Sequence, residues 1–307
     1  MPILLDNGLI GEPVAATIGM FDGVHRGHRF VLSQLCSKAK EKGLKTAAIT
    51  FKRHPLCVVR KGFSQPLLMG LDARLHAIEA AGIDYVVAMD FTKELSALTA
   101  EQFLRLIHDR YCVRMLLTGY DNRFGSRRSD GFDDYVAYGN AIGVEVEKCG
   151  EYNPGGEKIC SSAIRRSLAE GDVAAANAML GRRYSLGGKV VGGFANGRKM
   201  GFPTANIDAE PSLAVPGNGV YAVFVHLPGG QTKQGMLNIG NRPTFANGSN
   251  RTVEVNIFDF CADIYGESIE VEFAGRIRDE RKMESVGELE KQLASDREKA
   301  KEILSKS

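Results

Sequence analysis

No apolar run in the 307-residue chain approaches the ~20 residues needed to span a bilayer, and no charged-then-apolar leader opens it. A membrane protein and a secreted precursor are therefore not expected, and the chain reads as cytoplasmic. No Cys-x-x-Cys pair occurs. The six cysteines, at 36, 57, 112, 149, 160 and 261, have no regular spacing and read as mostly buried free thiols of a reducing compartment. An excess of one charge is lacking too. The formal net charge is +2, so charge alone implies no polyanion partner. Internal repeats and low-complexity tracts are absent. What remains is ordinary for a globular protein: 44% apolar and 25% charged residues, with length enough for two domains.

The first half alternates. Strand-like runs at 14–18, 45–51, 85–89, 115–118 and 144–147 are separated by helical patterns at 30–42, 71–81, 100–110 and 132–142. Such alternation predicts a mostly parallel sheet covered on both faces. Two more helical stretches, 161–169 and 173–180, lead to a change of texture at Gly181-Arg182-Arg183-Tyr184. Beyond it, short strand-like runs at 187–191, 220–227, 232–239, 252–258 and 268–273 are broken by Gly, Pro and Asn. That spacing fits an antiparallel barrel or a sandwich. A final helix is predicted over 285–304, with Val286, Leu289, Leu293 and Ala300 on one side.

The densest motif is Gly19-Met20-Phe21-Asp22-Gly23-Val24-His25-Arg26-Gly27-His28, between the first strand-like run and the first helical pattern. Glycine lets backbone N–H groups approach a ligand, and a helix N-terminus favours anions. Histidines at i and i+3 there can face one phosphate and donate hydrogen bonds to it. Taken alone, the motif fits equally a structural turn with one histidine bonded in the core. Three further elements stand where an open parallel sheet collects ligand-binding loops or where a helix begins. They are Thr50-Phe51-Lys52-Arg53-His54-Pro55, Gly119-Tyr120-Asp121-Asn122-Arg123-Phe124-Gly125 and Cys160-Ser161-Ser162-Ala163-Ile164-Arg165-Arg166. By themselves the first two read as turns, and the third as a serine cap with surface arginines.

A second motif lies in the other half: Gly193-Phe194-Ala195-Asn196-Gly197-Arg198-Lys199-Met200-Gly201-Phe202-Pro203-Thr204-Ala205-Asn206. Its glycines allow a loop to fold over phosphates. Thr204 and Asn206, two apart, point to one side of an extended segment and offer neutral oxygens to a Mg²⁺ already held by phosphates. A bare Pro-Thr-Ala-Asn is a turn before a strand. In the run 252–258, Val253, Val255 and Ile257 share one face and Glu254, Asn256 and Phe258 the other. On pattern alone Glu254 is a solvent-facing carboxylate.

Together these motifs resemble the prokaryotic bifunctional riboflavin kinase/FAD synthetase family over nearly the whole chain and in the right order. The histidine motif matches without a gap. Departures are Arg53, Asn122, Cys160-Ser161-Ser162, Arg183, Asn256 and Met283. The resemblance implies a Rossmann-like nucleotidyltransferase α/β domain over 1–183. It implies an antiparallel β-barrel with a C-terminal helix over 184–307. It also implies ATP-dependent phosphorylation of riboflavin to FMN, then adenylylation of FMN to FAD with release of pyrophosphate, both with Mg²⁺. Carried onto this chain, His25, His28 and Glu254 are catalytic. Gly19, Phe21, Asp22, Gly23, Gly27, Asp121, Ser161, Ser162 and Arg165 bind the nucleotide of the transferase. Gly193, Gly197, Arg198, Gly201 and Phe202 bind that of the kinase. His54, Pro55, Asn122 and Arg278 contact flavin, and Thr204 and Asn206 the metal. Small-molecule substrates, no nucleic acid, no membrane, and a monomer or transient homo-oligomer are expected. Two other readings stand beside this one. The histidine motif does not itself name its acceptor, which leaves adenylylation or cytidylylation of another phosphorylated small molecule as one; a non-catalytic flavin or nucleotide sensor, or a barrel that binds nucleic acid, is the other.

Overall fold

Val14–Ile18 is buried at all five positions, as a strand must be when a parallel sheet is covered on both faces. The computed structural model describes residues 3–5, 8–120, 122–127, 129–156, 159–192, 202–241, 251–281 and 283–306. They form two compact units, residues 1–65 with 69–160, and 66–68 with 161–307.

In the first unit, β1 (Ile3–Leu5), β2 (Val14–Ile18), β3 (Lys45–Phe51), β4 (Tyr85–Met89), β5 (Val113–Thr118) and β6 (Glu145–Lys148) make one sheet. Its order is β1-β4-β3-β2-β5-β6 and every pairing is parallel. Helices α1 (Arg26–Lys42), α2 (Leu56–Val59), α3 (Leu71–Glu79), α4 (Lys93–Ala97), α5 (Ala100–Tyr111) and α6 (Phe132–Ala141) connect the strands. Alternate strand residues feed opposite faces. Val14, Ala16 and Ile49 pack under Phe103, Leu104 and Ile107 of α5. Ala15 and Ala48 pack under Leu32 and Leu35 of α1 and Leu75 and Ile78 of α3. The chain visits β3 and β4 on one side of β2 before crossing to β5 on the other. Winding therefore reverses at β2, and the loops leaving β2 and β5 frame a crevice at their carboxyl ends.

The second unit begins with α7 (Ser161–Glu170) and α8 (Val173–Leu180). Then β7 (Tyr184–Val191), β8 (Ala205–Ala209), β9 (Gly219–His226), β10 (Thr232–Asn241), β11 (Arg251–Ile257) and β12 (Ser268–Arg278) close a barrel. Its order is β10-β11-β8-β7-β12-β9, antiparallel throughout, and β9 pairs with β10 to complete the ring. Val253, Val255, Leu237 and Val223 fill its interior. The opposite face of the same strands carries a second cluster of Ala222, Met236 and Phe258, covered by Ala300 and Leu304 of α9 (Val286–Ser305).

The compact units part at 160/161. Ile164 and Leu168 of α7 and Val173, Ala176 and Leu180 of α8 enter the barrel's core cluster, so these helices pack with the second unit. Val286 is 64% exposed and is not part of the inner face of α9, which begins near Leu293. The six cysteines are all free, but only Cys149 is buried, while Cys57 and Cys261 are exposed.

Candidate active sites

The turn after β2 is built under strain. Phe21 and Val24 both lie at positive φ, 49° and 40°, around Gly23 at 81°. A β-branched residue rarely adopts that region. Val24 is held there by complete burial and by its N–H donating to the Phe21 carbonyl at 3.0 Å. Such outliers persist where the surroundings over-determine them, typically at functional sites. The Gly19 N–H donates to the Ile49 carbonyl at 3.0 Å, which ties the start of the turn to β3.

His25 then caps α1. Its Nδ1 accepts the backbone N–H of His28 at 3.3 Å, so a neutral His25 carries its proton on Nε2. The imidazoles of His25 and His28 stack, with ring centroids 3.6 Å apart and planes 16° from parallel. The Phe21 ring meets His28 edge-on at 5.3 Å. Gly27 permits this, because a Cβ there would come within 3.2 Å of the His25 ring. The buried Nδ1 of His28 has no hydrogen-bond partner, so ring contacts hold that side chain. Burial pushes its pKa well below the ordinary 6.5, and the charges of His25 and Arg74 push the same way. His28 is thus a neutral imidazole at pH 7.

Because the strands are parallel, the other predicted loops leave the same edge of the sheet. Asn122 donates its side-chain amide to the carbonyl of Ile18, the last residue of β2, at 2.6 Å. This bond pins the loop after β5 to the base of the histidine turn. The Nδ1 of His54 accepts the Leu56 N–H at 3.2 Å, its ring lies 5.5 Å from that of Phe63, and Pro55 caps α2. Asp22 is buried. Ser161, Ser162 and Arg165 open α7 in the second unit, whose first turn holds no acidic residue. Asp121 lies outside the described residues.

One charged group here had no sequence signal. Arg74 of α3 is fully buried, Nη2 donates to the Phe51 carbonyl at 2.6 Å, and Nη1 lies 3.7 Å from Met20 Sδ. Desolvation lowers its pKa and the charge of Asp22 acts the other way. An arginine at a helix position just before core residue Leu75 and one turn ahead of Ile78 looks like any surface residue until the fold closes over it.

In the barrel, Glu254 of β11 stands directly opposite Asn206 of β8 on one side and Asn238 of β10 on the other. Directly paired residues project to one face, so these three polar side chains make a cross-strand row. The row lies on the face opposite buried Val253 and Val255. Asn206 is buried and Glu254 half-buried. Asn256, two residues on, donates to the Pro203 carbonyl at 2.7 Å and so holds the approach to Thr204. A cavity of about 360 Å³ opens beside Thr204, walled by Val190, Pro203, Val255, Ile257, Ile264 and Tyr265. Thr204, Tyr265 and Asp263 add polar groups to its largely apolar lining.

Phe202 packs at the edge of the cluster beneath α9. Arg278 is clamped: Nε donates to both carboxylate oxygens of Asp296 at 3.0 Å, and Nη2 to Oδ2 at 2.8 Å. Asp296, on α9, is fully buried and also accepts from Gln292 at 2.7 Å. Asp296 was not singled out in the sequence, where it is one polar residue among many. Gly193, Gly197, Arg198 and Gly201 lie outside the described residues. Among the described residues, no cluster of three or more His, Cys, Asp or Glu side chains is arranged to hold a metal ion. None of their helices is long and apolar enough to cross a membrane.

Family models match in the order of the two units: FAD synthetase over residues 10–163 and riboflavin kinase over 180–304. The bifunctional riboflavin kinase/FMN adenylyltransferase of Escherichia coli K12 is 36% identical over 294 residues, covering 95% of this chain and 93% of that protein. The protein of that name from Haemophilus influenzae is 38% identical, covering 94% and 93%. That from Bacillus subtilis is 36% identical, covering 95% and 94%. A crystal structure described as a macrolide-efflux protein from Streptococcus pneumoniae superposes with a TM-score of 0.86 at 28% identity, covering 98% of this chain and 99% of that one. With both family models matched and relatives aligned along nearly the full length, the chain belongs to the bifunctional riboflavin kinase/FMN adenylyltransferase family.

Proposed function

We propose that this chain phosphorylates riboflavin to FMN with one ATP and then adenylylates FMN to FAD with a second, releasing pyrophosphate. The single observation that carries the division of labour is chemical. The stacked pair His25 and His28 stands at a helix N-terminus at the point where the sheet reverses its winding, whereas the half-buried carboxylate Glu254 lies in a polar row on the barrel.

For FMN formation, Glu254 accepts the proton of the riboflavin 5′-hydroxyl as that oxygen attacks the γ-phosphorus of ATP, and ADP leaves. Asn206 and Thr204 supply neutral oxygens that would hold Mg²⁺, which neutralises polyphosphate charge when bound. That donor set suits a cation arriving with ATP, since no all-protein cluster of acidic or histidine ligands is formed among the described residues. Gly193, Gly197, Arg198 and Gly201 are assigned to the ATP phosphates and Phe202 to the edge of that site. Arg278, oriented by Asp296, is assigned to flavin.

For FAD formation, a phosphate oxygen of FMN attacks the α-phosphorus of ATP and the bond to the pyrophosphate oxygen breaks. No covalent enzyme intermediate is needed, so positioning and charge stabilisation do the work. His25, protonated at Nε2, and neutral His28 donate hydrogen bonds to the oxygens where charge accumulates. The backbone of Gly19, Phe21, Asp22, Gly23 and Gly27 shapes this cradle. Asp121, Ser161, Ser162 and Arg165 are assigned to ATP, and His54, Pro55 and Asn122 to the flavin end. A cytoplasmic location, small-molecule partners only, and a monomeric or transiently associated state complete the proposal.

The test is to incubate the purified protein with riboflavin, ATP and Mg²⁺ and resolve FMN and FAD over time. FMN should appear first and FAD follow. His28→Ala should stop FAD formation and leave FMN formation intact. Glu254→Ala should stop FMN formation yet still make FAD from supplied FMN. Loss of both activities in either folded variant would sink the two-site reading.

A further inference from the structure

Arg74 is the largest fully buried side chain among the described residues, and none of the roles assigned above uses it. An ionised guanidinium inside a protein is retained at a cost, and a Met or Leu beside Leu75 and Ile78 would fill the same space without it. What the charge faces is therefore informative. Nη2 holds the carbonyl of Phe51, the last residue of β3, at 2.6 Å. Nη1 reaches Met20 Sδ at 3.7 Å, inside the histidine turn. The Met20 carbonyl in turn accepts the Thr50 hydroxyl at 3.1 Å. The guanidinium thus clamps the ends of two neighbouring strands at the point where both loops leave the sheet. Its charge acts on buried Asp22 in the same turn and on His28 at the start of α1.

We infer that Arg74 is a positioning residue of the adenylyl-transfer site, whose buried positive charge fixes the Met20–Asp22 turn and so presents His25 and His28 to the phosphates. It touches no reacting atom. It acts from behind the turn, holding a backbone that two positive-φ residues, Phe21 and Val24, leave strained. The inference rests on the proposed adenylyl transfer at His25 and His28.

The test uses the full chain with Arg74→Gln, which keeps a donor for the Phe51 carbonyl but not the charge, and Arg74→Lys, which keeps the charge but not the fork. For Arg74→Gln, kcat for FAD formation should fall about tenfold or more, as misplaced reacting groups do. KM for FMN should stay within about twofold, and FMN binding measured by calorimetry should persist. Arg74→Lys should recover much of the loss. FMN formation from riboflavin should be unchanged in both. A wild-type kcat in Arg74→Gln, or equal losses in Gln and Lys variants that both bind FMN, overturns the inference. If Arg74→Gln no longer binds FMN, Arg74→Lys decides: binding and turnover kept supports the role, and both lost overturns it. Wild-type protein that makes FMN but no FAD would instead defeat the underlying reading, whatever the variants do.

Discussion

His28 shows how one side chain's setting shapes both chemistry and stability. Its pKa is lowered by burial first and by the neighbouring charges of His25 and Arg74 second. Where the folded pKa lies below the unfolded one, the unfolded chain takes up the proton first as pH falls. The stabilising contribution is therefore full above about 6.5 and declines below it. Urea unfolding at pH 7.5 and 5.5 should show a loss of stability on acidification that is smaller in His28→Gln, and the NMR titration midpoint of His28 should lie below 6.5. Gly27 tests the packing of the same pair. Its φ is not positive, so Gly27→Ala adds only a methyl within 3.2 Å of the His25 imidazole. Displacing that ring should cut FAD formation about tenfold or more while leaving FMN formation alone, read in the coupled assay. The histidines and glycines were legible in the sequence because the motif is contiguous. Arg74 was not, because its burial and its partner Phe51 come from distant segments.

Among the elements, the strands of the first unit were readable from runs of small and branched apolar residues bounded by loops. The exceptions are short. Residues 3–5, 56–59 and 93–97 form a strand and two helices of a few residues, too short for periodicity to register. β8 alternates apolar with Asn and Asp over Ala205–Ala209 after a Pro-Thr turn, a strand pattern of five residues too short to stand out by itself. Pairing with β7 and β11 makes it a strand. That pairing sets Asn206 against Glu254, which no spacing along the chain could announce. The C-terminal helix was legible as a packing helix, but its anchor was hidden. Asp296 is fully buried only because Arg278 reaches it from β12. Asp296→Ala should lower stability by about 3 kcal/mol, the penalty for leaving a partly buried charge unpaired, and Asp296→Asn by less, measured by urea denaturation.

For the molecule as a whole, the placement of α7 and α8 carries a prediction about the second unit. Ile164, Leu168, Val173, Ala176 and Leu180 lie in the same cluster as the barrel interior. A chain of residues 184–307 would expose that patch, whereas one of 161–307 would keep it covered. Burying four large apolar side chains contributes roughly 5 kcal/mol or more. The longer chain should therefore unfold at a clearly higher temperature, and equal transitions would show that the helices add nothing to the barrel. By itself the sequence determined the order of two modules, the parallel-sheet and short-strand textures, the histidine turn and the chemistry of its loops. All of these are encoded in residues close along the chain, through periodicity and turn preference. Only the tertiary structure decided that α7 and α8 pack with the barrel, that Glu254 faces Asn206, that Asp296 clamps Arg278 and that Arg74 sits beneath the turn. Each of these joins residues far apart in sequence, and the pairing exists only once sheet or barrel has closed.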